Sequence, residues 1–234
     1  MKAIVLLSGG LDSATTLYVA RRDGAETICL SISYGQLHER ELESAKKIAS
    51  ALKLEHWIIP ISLPWGGSAL TDPRLAVPKG RSEAEIKKEI PVTYVPARNS
   101  IFLSLAASLA EAKDTGAIYF GANALDYSGY PDCRPVFLEA FETMIERGTK
   151  AGTEGKIIRV VAPLLRLSKA EIVRLGGQLK VPFEWTWSCY EGKEFPCGEC
   201  DSCILRAKGF REAGIEDPLT SYASPPHFPR SSNL

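Results

Sequence analysis

The sequence lacks an excess of charge of either sign, because its 28 Lys and Arg residues are balanced by 28 Asp and Glu residues. Such a chain has no overall attraction to polyanions, which argues against a protein that coats nucleic acid. It also lacks a long hydrophobic run: the stretch 101–112 is interrupted by Ser104 and Ser108 and is shorter than the roughly 20 residues of a membrane span. The apolar run 3–7 is too short for a secretory signal. We therefore expect a soluble protein of the cytoplasm that acts without a membrane.

Cysteines are scarce outside one short segment. Four of the six lie between positions 189 and 203, whereas Cys29 and Cys133 stand alone. This clustering favours a metal site over a disulfide framework. Four thiolates at C-x7-C-x2-C-x2-C spacing can close a tetrahedral shell around structural zinc and leave no position open for water; an iron–sulfur cluster and redox-active thiols are the alternatives. The expected ligands are Cys189, Cys197, Cys200 and Cys203.

Short apolar runs typical of buried strands alternate with segments whose apolar residues recur at helical spacing. This order predicts an α/β fold with a Rossmann-like, doubly wound parallel sheet, helices on both faces and ligands at the carboxyl ends of the strands. Ser168 and Glu171 have the spacing of a capping box that opens a late helix. The other predicted elements are strands 3–7, 27–33, 55–61, 117–121 and 157–162 and helices 13–22, 39–53, 99–113 and 137–147.

Two segments depart from this alternation of predicted strands and helices. Residues 63–91 are rich in Pro and Gly and contain only a short helix candidate, 82–89, which predicts an inserted loop that acts as a lid, a binding loop or a mobile segment. The second segment contains the four clustered cysteines and follows the last predicted strand. We therefore divide the chain into an α/β domain, residues 1–180 with this insertion, and a zinc-binding C-terminal region, residues 181–234.

The turn Ser8-Gly9-Gly10-Leu11-Asp12-Ser13 follows the first predicted strand and precedes a helix. Its glycines permit positive φ and close approach of the backbone, and the helix start offers unpaired N–H groups to an anion. Phosphate is the natural ligand of such a turn, although an ordinary glycine-rich turn is the alternative. The chain lacks the Walker A motif and G-x-G-x-x-G, so neither a P-loop NTPase nor a dinucleotide-binding enzyme is expected.

Polar and aromatic residues also concentrate after the fourth predicted strand. An acidic side chain such as Asp126 or Asp132 can accept two N–H donors from a guanine-like edge, and Tyr130 can stack on a base. Arg134 can pair with a carboxylate. A surface turn around the Pro-Asp pair of this segment is the alternative.

Together these motifs resemble the 7-cyano-7-deazaguanine synthase family, which belongs to the N-type ATP pyrophosphatases. S-G-G-x-D-S resembles the pyrophosphate loop of the wider superfamily, whereas S-G-Y-P-D-C-R at 128–134 and C-G-x-C-D-x-C-x-L-R at 197–206 are more specific. The resemblance covers most of the chain but not the insertion or the tail after Pro218. It implies an adenine nucleotide alpha hydrolase-like fold with a zinc-binding appendage.

The resemblance also implies roles for individual residues. Phosphate or carboxylate contacts are implied for Arg98 and Lys169. ATP with Mg²⁺ is expected at Ser8, Gly9, Gly10, Leu11, Asp12, Ser13, Tyr34, Gly35 and Gln36. The base and carboxylate of a second substrate are expected at Asn99, Asp126, Tyr130, Asp132 and Arg134.

Members of this family are ATP-dependent ligases that turn 7-carboxy-7-deazaguanine and ammonia into the nitrile 7-cyano-7-deazaguanine, through adenylated acid and amide intermediates, in queuosine biosynthesis. The resemblance implies a homodimer that acts on these small molecules without contacting nucleic acid. A tRNA sulfur-transfer enzyme and an amide-forming carboxylate ligase share the loop and are the alternatives. A zinc-knuckle binding module without chemistry would carry a basic, aromatic face, which the residues around the cysteines do not supply.

Overall fold

A parallel five-stranded sheet lies at the centre of the computed structural model, which describes residues 1–124 and 130–219. Its strand order is β3-β2-β1-β4-β5, so the order reverses between β1 and β4. Ligands of open α/β sheets bind at such a reversal, outside the carboxyl ends of the strands. The strands are β1 Lys2–Leu6, β2 Glu26–Ser33, β3 His56–Pro60, β4 Ala117–Tyr119 and β5 Arg159–Val161.

The central strand β1 is buried on both faces. Its residues Ala3 and Val5 belong to one hydrophobic cluster, whereas Ile4 and Leu6 belong to another on the opposite side of the sheet. This alternation follows from the two-residue period of a strand. Because helices cover both faces, β1 is a continuous apolar run rather than an alternation of apolar and polar residues.

The helices divide between the two faces of the sheet, which confirms the doubly wound arrangement. Residues of α4 and α5 pack in one cluster, whereas residues of α1, α2, α7 and α8 pack in the other. No helix in the described ranges is long and apolar enough to span a membrane. The helices are α1 Leu11–Arg22, α2 Arg40–Ala51, α3 Glu83–Lys88, α4 Arg98–Ala112, α5 Pro135–Gly148, α6 Lys150–Thr153, α7 Lys169–Gln178 and α8 Asp201–Ala213, with 3-10 turns at Pro131–Cys133 and Phe183–Trp185.

The insertion is held against the cysteine-bearing segment. Its backbone forms a β-bridge between Lys79 and Cys200, and the Gly80 N–H donates to the Glu199 carbonyl oxygen at 2.9 Å. The Arg81 guanidinium makes a two-point contact with the buried Asp201 carboxylate, with Nε to Oδ1 at 3.0 Å. The short helix predicted within the insertion is confirmed as α3. These contacts argue against a freely mobile segment.

Helix α8 is the element that the sequence did not predict. It begins directly after Cys200, contains Cys203, and buries both Arg206 and Phe210. A buried arginine and an interior glycine obscure its apolar period. The glycine has a packing reason, because a Cβ at Gly209 would lie 2.3 Å from the Lys169 Cγ atom where α7 and α8 touch.

Candidate active site

A cleft opens where the strand order reverses, beyond the carboxyl ends of β1, β2 and β4. Its walls come from the turn after β1, the segment after β2, the start of α4, the start of α7 and the segment before the first clustered cysteine. The lining residues include Ser8, Gly10, Leu11, Asp12, Ser13, Tyr34, Gln36, Arg98, Asn99, Tyr130 and Lys169. The structure therefore brings most of the residues singled out in the sequence to one place. Gly9 and Gly35 belong to the same turns without lining the cleft.

The turn after β1 is organised by Ser13. Its Oγ atom accepts the N–H groups of Ser8 and Gly9, both at 3.2 Å, and donates to the Gly10 carbonyl oxygen at 3.1 Å. Helix α1 begins at Leu11, and no side chain caps its first turn. A helix start without a cap attracts an anion through its unpaired N–H groups and its dipole. The geometry is that of a phosphate-binding loop, named so below.

Gly9 is the position that brings this loop onto helix α2. Its φ is +90°, and a Cβ atom there would lie 2.0 Å from the Glu41 carbonyl oxygen. No side chain fits at that distance, so the loop depends on glycine for both its conformation and its contact.

Lys169 and Asp12 form a buried ion pair beside the phosphate-binding loop. The Lys169 Nζ atom lies 2.9 and 2.8 Å from the two carboxylate oxygens of Asp12. Lys169 is the first residue of α7, and the capping box predicted between Ser168 and Glu171 is present and fixes that helix start. The cleft thus holds one ammonium group and one carboxylate where phosphates would bind.

Aromatic rings and a guanidinium form another wall of the cleft. Arg98 donates to the Tyr34 hydroxyl at 3.4 Å and lies 5.8 Å from the ring centre of Phe102. The rings of Tyr34 and Phe102 are 5.4 Å apart. Ala97, the residue before α4, has a φ of +53°. A strained residue of this kind is common at binding sites, and here it sets the direction in which α4 begins.

The motif around Tyr130 is divided between the cleft and the core. Tyr130 lines the cleft and lies 3.2 Å from the Thr93 hydroxyl. Asp132 is buried behind the wall, where its Oδ2 atom accepts the Asn99 N–H at 3.1 Å. Burial is the main cause that raises the pKa of the Asp132 carboxyl. Arg134 is exposed and does not line the cleft, and Asp126 lies outside the described residues.

Several lining residues were not anticipated from the sequence, among them His38, Glu41, Trp187, Ser188 and Tyr190. The first two follow the Tyr-Gly-Gln segment by two and five residues, so that motif was the available signal. The last three precede or follow Cys189, and no local pattern ties a cysteine segment to a distant sheet edge. Only the fold brings them there.

The four clustered cysteines can hold one metal ion. Their Sγ atoms all lie within 4.8 Å of one another, and the pair Cys197 and Cys203 is 4.0 Å apart. A tetrahedral zinc site with bonds of about 2.3 Å places its sulfurs about 3.8 Å apart. The N–H groups of Glu191 and Cys197 point to the Cys189 Sγ atom at 3.4 and 3.3 Å. The donor set and these N–H groups fit a metal thiolate site.

The cysteine segment also touches the phosphate-binding loop. The Trp187 N–H donates to the Gly9 carbonyl oxygen at 3.0 Å, and its indole N–H donates to the Cys189 carbonyl oxygen at 2.9 Å. One tryptophan therefore connects the metal-binding segment to the loop.

The description of the matching family model is queuosine biosynthesis protein QueC, and the match covers residues 2–214. A 7-cyano-7-deazaguanine synthase of Anaeromyxobacter dehalogenans is 57% identical over 95% of this chain and 96% of its own length. Another of the same name, from Trichodesmium erythraeum, is 54% identical over 94% of this chain and all of its own length. A solved structure, NMN synthetase from Francisella tularensis, is a distant match, 17% identical with a TM-score of 0.46 over 97% of this chain and 89% of that chain. On its sequence, this chain belongs to the family of the queuosine biosynthesis protein QueC.

Proposed function

We propose that this chain is an ATP-dependent ligase that converts 7-carboxy-7-deazaguanine and ammonia into 7-cyano-7-deazaguanine for queuosine biosynthesis. The observation that carries the proposal is the shared name of the relatives, which reach 57% identity over 95% of the chain. The cleft supports it, because it joins a phosphate-binding loop to aromatic and amide groups suited to a planar heterocycle.

The reaction activates a poor electrophile twice. The carboxylate oxygen attacks the α-phosphorus of ATP, which forms an acyl adenylate and releases pyrophosphate. Ammonia attacks the acyl carbon and displaces AMP, which leaves the amide. A second ATP adenylates the amide oxygen, and loss of AMP together with the remaining nitrogen protons forms the nitrile.

The phosphate end of the cleft supplies positioning and charge neutralisation. The loop Ser8–Ser13 and the start of α1 would hold the phosphates of ATP, and Lys169 would offset the charge of the departing pyrophosphate. Asp12 offers the oxygen ligand that Mg²⁺ prefers. Bound Mg²⁺ supplies further neutralisation of the phosphate oxygens.

The heterocycle end supplies recognition. Tyr130 and Asn99 line the cleft where a planar base would lie, and Arg98 is placed to meet a carboxylate. Asp132 would act through Asn99, whose backbone it holds. Direct roles for Asp126 and Arg134, and contacts to ATP by Gly35 and Gln36, remain part of the proposal.

We assign zinc to the four cysteines, because a complete shell of four sulfurs suits a structural ion that never meets substrate. The chain 181–234 would then be a zinc-stabilised region attached to the nucleotide-binding domain 1–180. Metal analysis of the purified protein tests the assignment, and the expected result is one zinc per chain.

A cysteine in the cleft is the feature a sulfur-transfer enzyme would need, and Cys133 lies there. Burial is the main cause that raises the pKa of the Cys133 thiol to about 12. A thiol in that state is a poor nucleophile at neutral pH. This favours the ligase over the sulfur-transfer alternative.

The test incubates the zinc-loaded protein with Mg-ATP, ammonium and 7-carboxy-7-deazaguanine and follows acid, amide, nitrile and AMP by mass spectrometry. Nitrile together with AMP is expected. The variant Lys169→Gln should lose about 100-fold or more in rate, as removal of one preorganised charge does in other sites. Exposed Lys150, in α6, provides the matched control Lys150→Gln. Amide without nitrile would support an amide-forming ligase, and no consumption of the acid would refute the proposal.

We further propose that the enzyme is a homodimer that acts on small molecules alone. Support comes from the resemblance and from the balanced charge of the chain. Sedimentation equilibrium tests the first point, and titration with tRNA in low salt tests the second.

A further inference from the structure

Two carboxylates line the cleft within the described residues, and they differ in their surroundings. Asp12 is engaged by the Lys169 ammonium at 2.8 Å. The carboxylate of Glu41, in the first turn of α2, accepts no hydrogen bond from another described residue. A carboxylate in the cleft wall that accepts no hydrogen bond is available to accept a proton.

The backbone fixes Glu41 beside the phosphate-binding loop. Its carbonyl oxygen occupies the space that a Cβ at Gly9 would need, so the first turn of α2 rests directly on the loop. The cleft side chains that interact with its charge are Arg98 from α4 and Tyr34 from the end of β2. The other charged or ionisable residues of the cleft wall include Asp12, His38, Lys169 and Arg206, and Arg40 precedes Glu41 on its own helix.

The surroundings of Glu41 also shift the pKa of its carboxyl group. Burial raises the pKa of Glu41 to about 7, and the positive charge of Arg98 opposes that rise. A base of this strength is half ionised near neutral pH, where a general base is most effective.

The proposed reaction releases protons from nitrogen in both rounds. When ammonia attacks the acyl adenylate, the new C–N bond forms, the C–O bond to AMP breaks, and the nitrogen must lose a proton to become the neutral amide. Adenylation of the amide oxygen, with loss of one nitrogen proton to solvent, gives an imidate with a single N–H bond. The imidate becomes the nitrile when the electron pair of that N–H bond forms the second C–N π bond as AMP leaves with the C–O electrons. A single acceptor in the cleft wall can serve both steps.

We propose that Glu41 is the proton acceptor for the amide-forming and nitrile-forming steps. This inference rests on the proposed function. The carboxylate takes one proton from nitrogen in each step and returns it to solvent through the open cleft before the next. The leaving AMP carries the electron pair of the broken bond, so no other reactant is required.

The test separates adenylation from the later chemistry. Glu41→Gln removes the base with little change in shape, and Glu43→Gln, which alters an exposed carboxylate on the same helix, is its matched control. Exchange of labelled pyrophosphate into ATP, with the acid and without ammonia, reports adenylation. Single-turnover formation of amide from the acid and ammonia, and of nitrile from the amide and ATP, reports the two proton-transfer steps.

We expect Glu41→Gln to slow both later steps by about 100-fold or more, in the range of lost general-base catalysis, while pyrophosphate exchange changes far less. At a fixed concentration of free ammonia, the wild-type amide-forming rate should rise with pH through about 7, as the carboxyl loses its proton. Glu41→Gln should lose that rise, and Glu43→Gln should keep it.

Wild-type rates of amide and nitrile formation in Glu41→Gln would overturn the proposal. Equal losses in exchange and in the later steps would also overturn it, because they would indicate a role in binding ATP. Loss of the pH-dependent rise in His38→Gln, with retention in Glu41→Gln, would assign the proton to the other titratable lining residue of that segment. Absence of amide and nitrile from wild-type protein would instead refute the proposed function.

Discussion

Gly9 stands at the point where the phosphate-binding loop meets α2, with a φ of +90°. We expect Gly9→Ala to lower the free energy of unfolding by about 2 kcal/mol or more, because the left-handed conformation costs of order 1–3 kcal/mol for a residue with a Cβ atom and the methyl group would also meet the Glu41 carbonyl oxygen. Gly10→Ala is the control, since the nearest atoms to its Cβ lie at 3.4 and 3.5 Å. Urea unfolding compares the two, and equal losses would contradict the steric argument.

The isolated cysteines give a second prediction at this scale. Burial is the main cause that raises the pKa of both Cys29 and Cys133 to about 12. Because the thiolate is the reactive form, neither should be alkylated at neutral pH while the protein is folded. Mass spectrometry after iodoacetamide treatment should find both unmodified in native protein and modified in urea. Labelling of Cys133 in the native state would reopen the sulfur-transfer alternative.

The place of a single residue in the site was predictable where the residue belongs to a recognisable sequence motif. Lys169 was found through the family resemblance, and the loop Ser8–Ser13 was found through its place between a strand and a helix. Arg134 is exposed and lies outside the cleft wall that Tyr130 and Asn99 form, and its expected contact with substrate stays a prediction. Glu41 was missed because the sequence does not reveal that the turn of α2 rests on Gly9.

Among the elements, the insertion can be tested through its contact with α8. Arg81 pairs with the buried carboxylate of Asp201, the first residue of that helix. We expect Arg81→Gln to cost about 3–5 kcal/mol, as loss of one partner of a buried pair does, and to make the insertion sensitive to protease. Arg74→Gln is the control in the same segment. Its pair with Asp72 is 86% exposed on the arginine side, so its loss should cost much less stability than the loss of Arg81.

A loss of similar size in both variants would mean that the pair with Asp201 does not anchor the insertion. A stable Arg81→Gln variant with a protease-sensitive insertion would show that the pair with Asp201 holds the insertion in place without stabilising the rest of the fold.

Elements with regular apolar spacing were predicted to within a few residues, as for α2 and β2. Their periods are visible because each buries one continuous face. Helix α8 was not predicted from the sequence. It is stabilised by a buried Arg206–Asp217 ion pair and by the neighbouring α7 rather than by an apolar stripe. The insertion was expected to lack a core of its own, yet Leu63 and Leu70 pack in the main one.

For the molecule as a whole, metal removal should affect the nucleotide site. Chelation would release the four cysteines, and the binding energy of such a site is largely the folding energy of its segment. Trp187 would then no longer hold the Gly9 carbonyl oxygen. We expect the affinity for ATP to fall by about tenfold or more, equivalent to about 1.4 kcal/mol.

Equilibrium dialysis with labelled ATP measures this loss, and added zinc should restore binding. Cys200→Ser should behave like the chelated protein, whereas Cys29→Ala, at a buried position outside the cluster, should bind ATP normally. Unchanged affinity after complete loss of metal would contradict the coupling.

The walls of the cleft are drawn from residues as far apart in the chain as Leu6 and Arg206. During synthesis the phosphate-binding loop leaves the ribosome well before the segment that supports it, which contains Trp187 and the cysteines. A growing chain therefore carries an incomplete cleft until Arg206, in the middle of α8, has been added. We therefore expect a chain that stops before α8 to carry the phosphate-binding loop and yet to bind ATP more weakly than the chain that includes that helix.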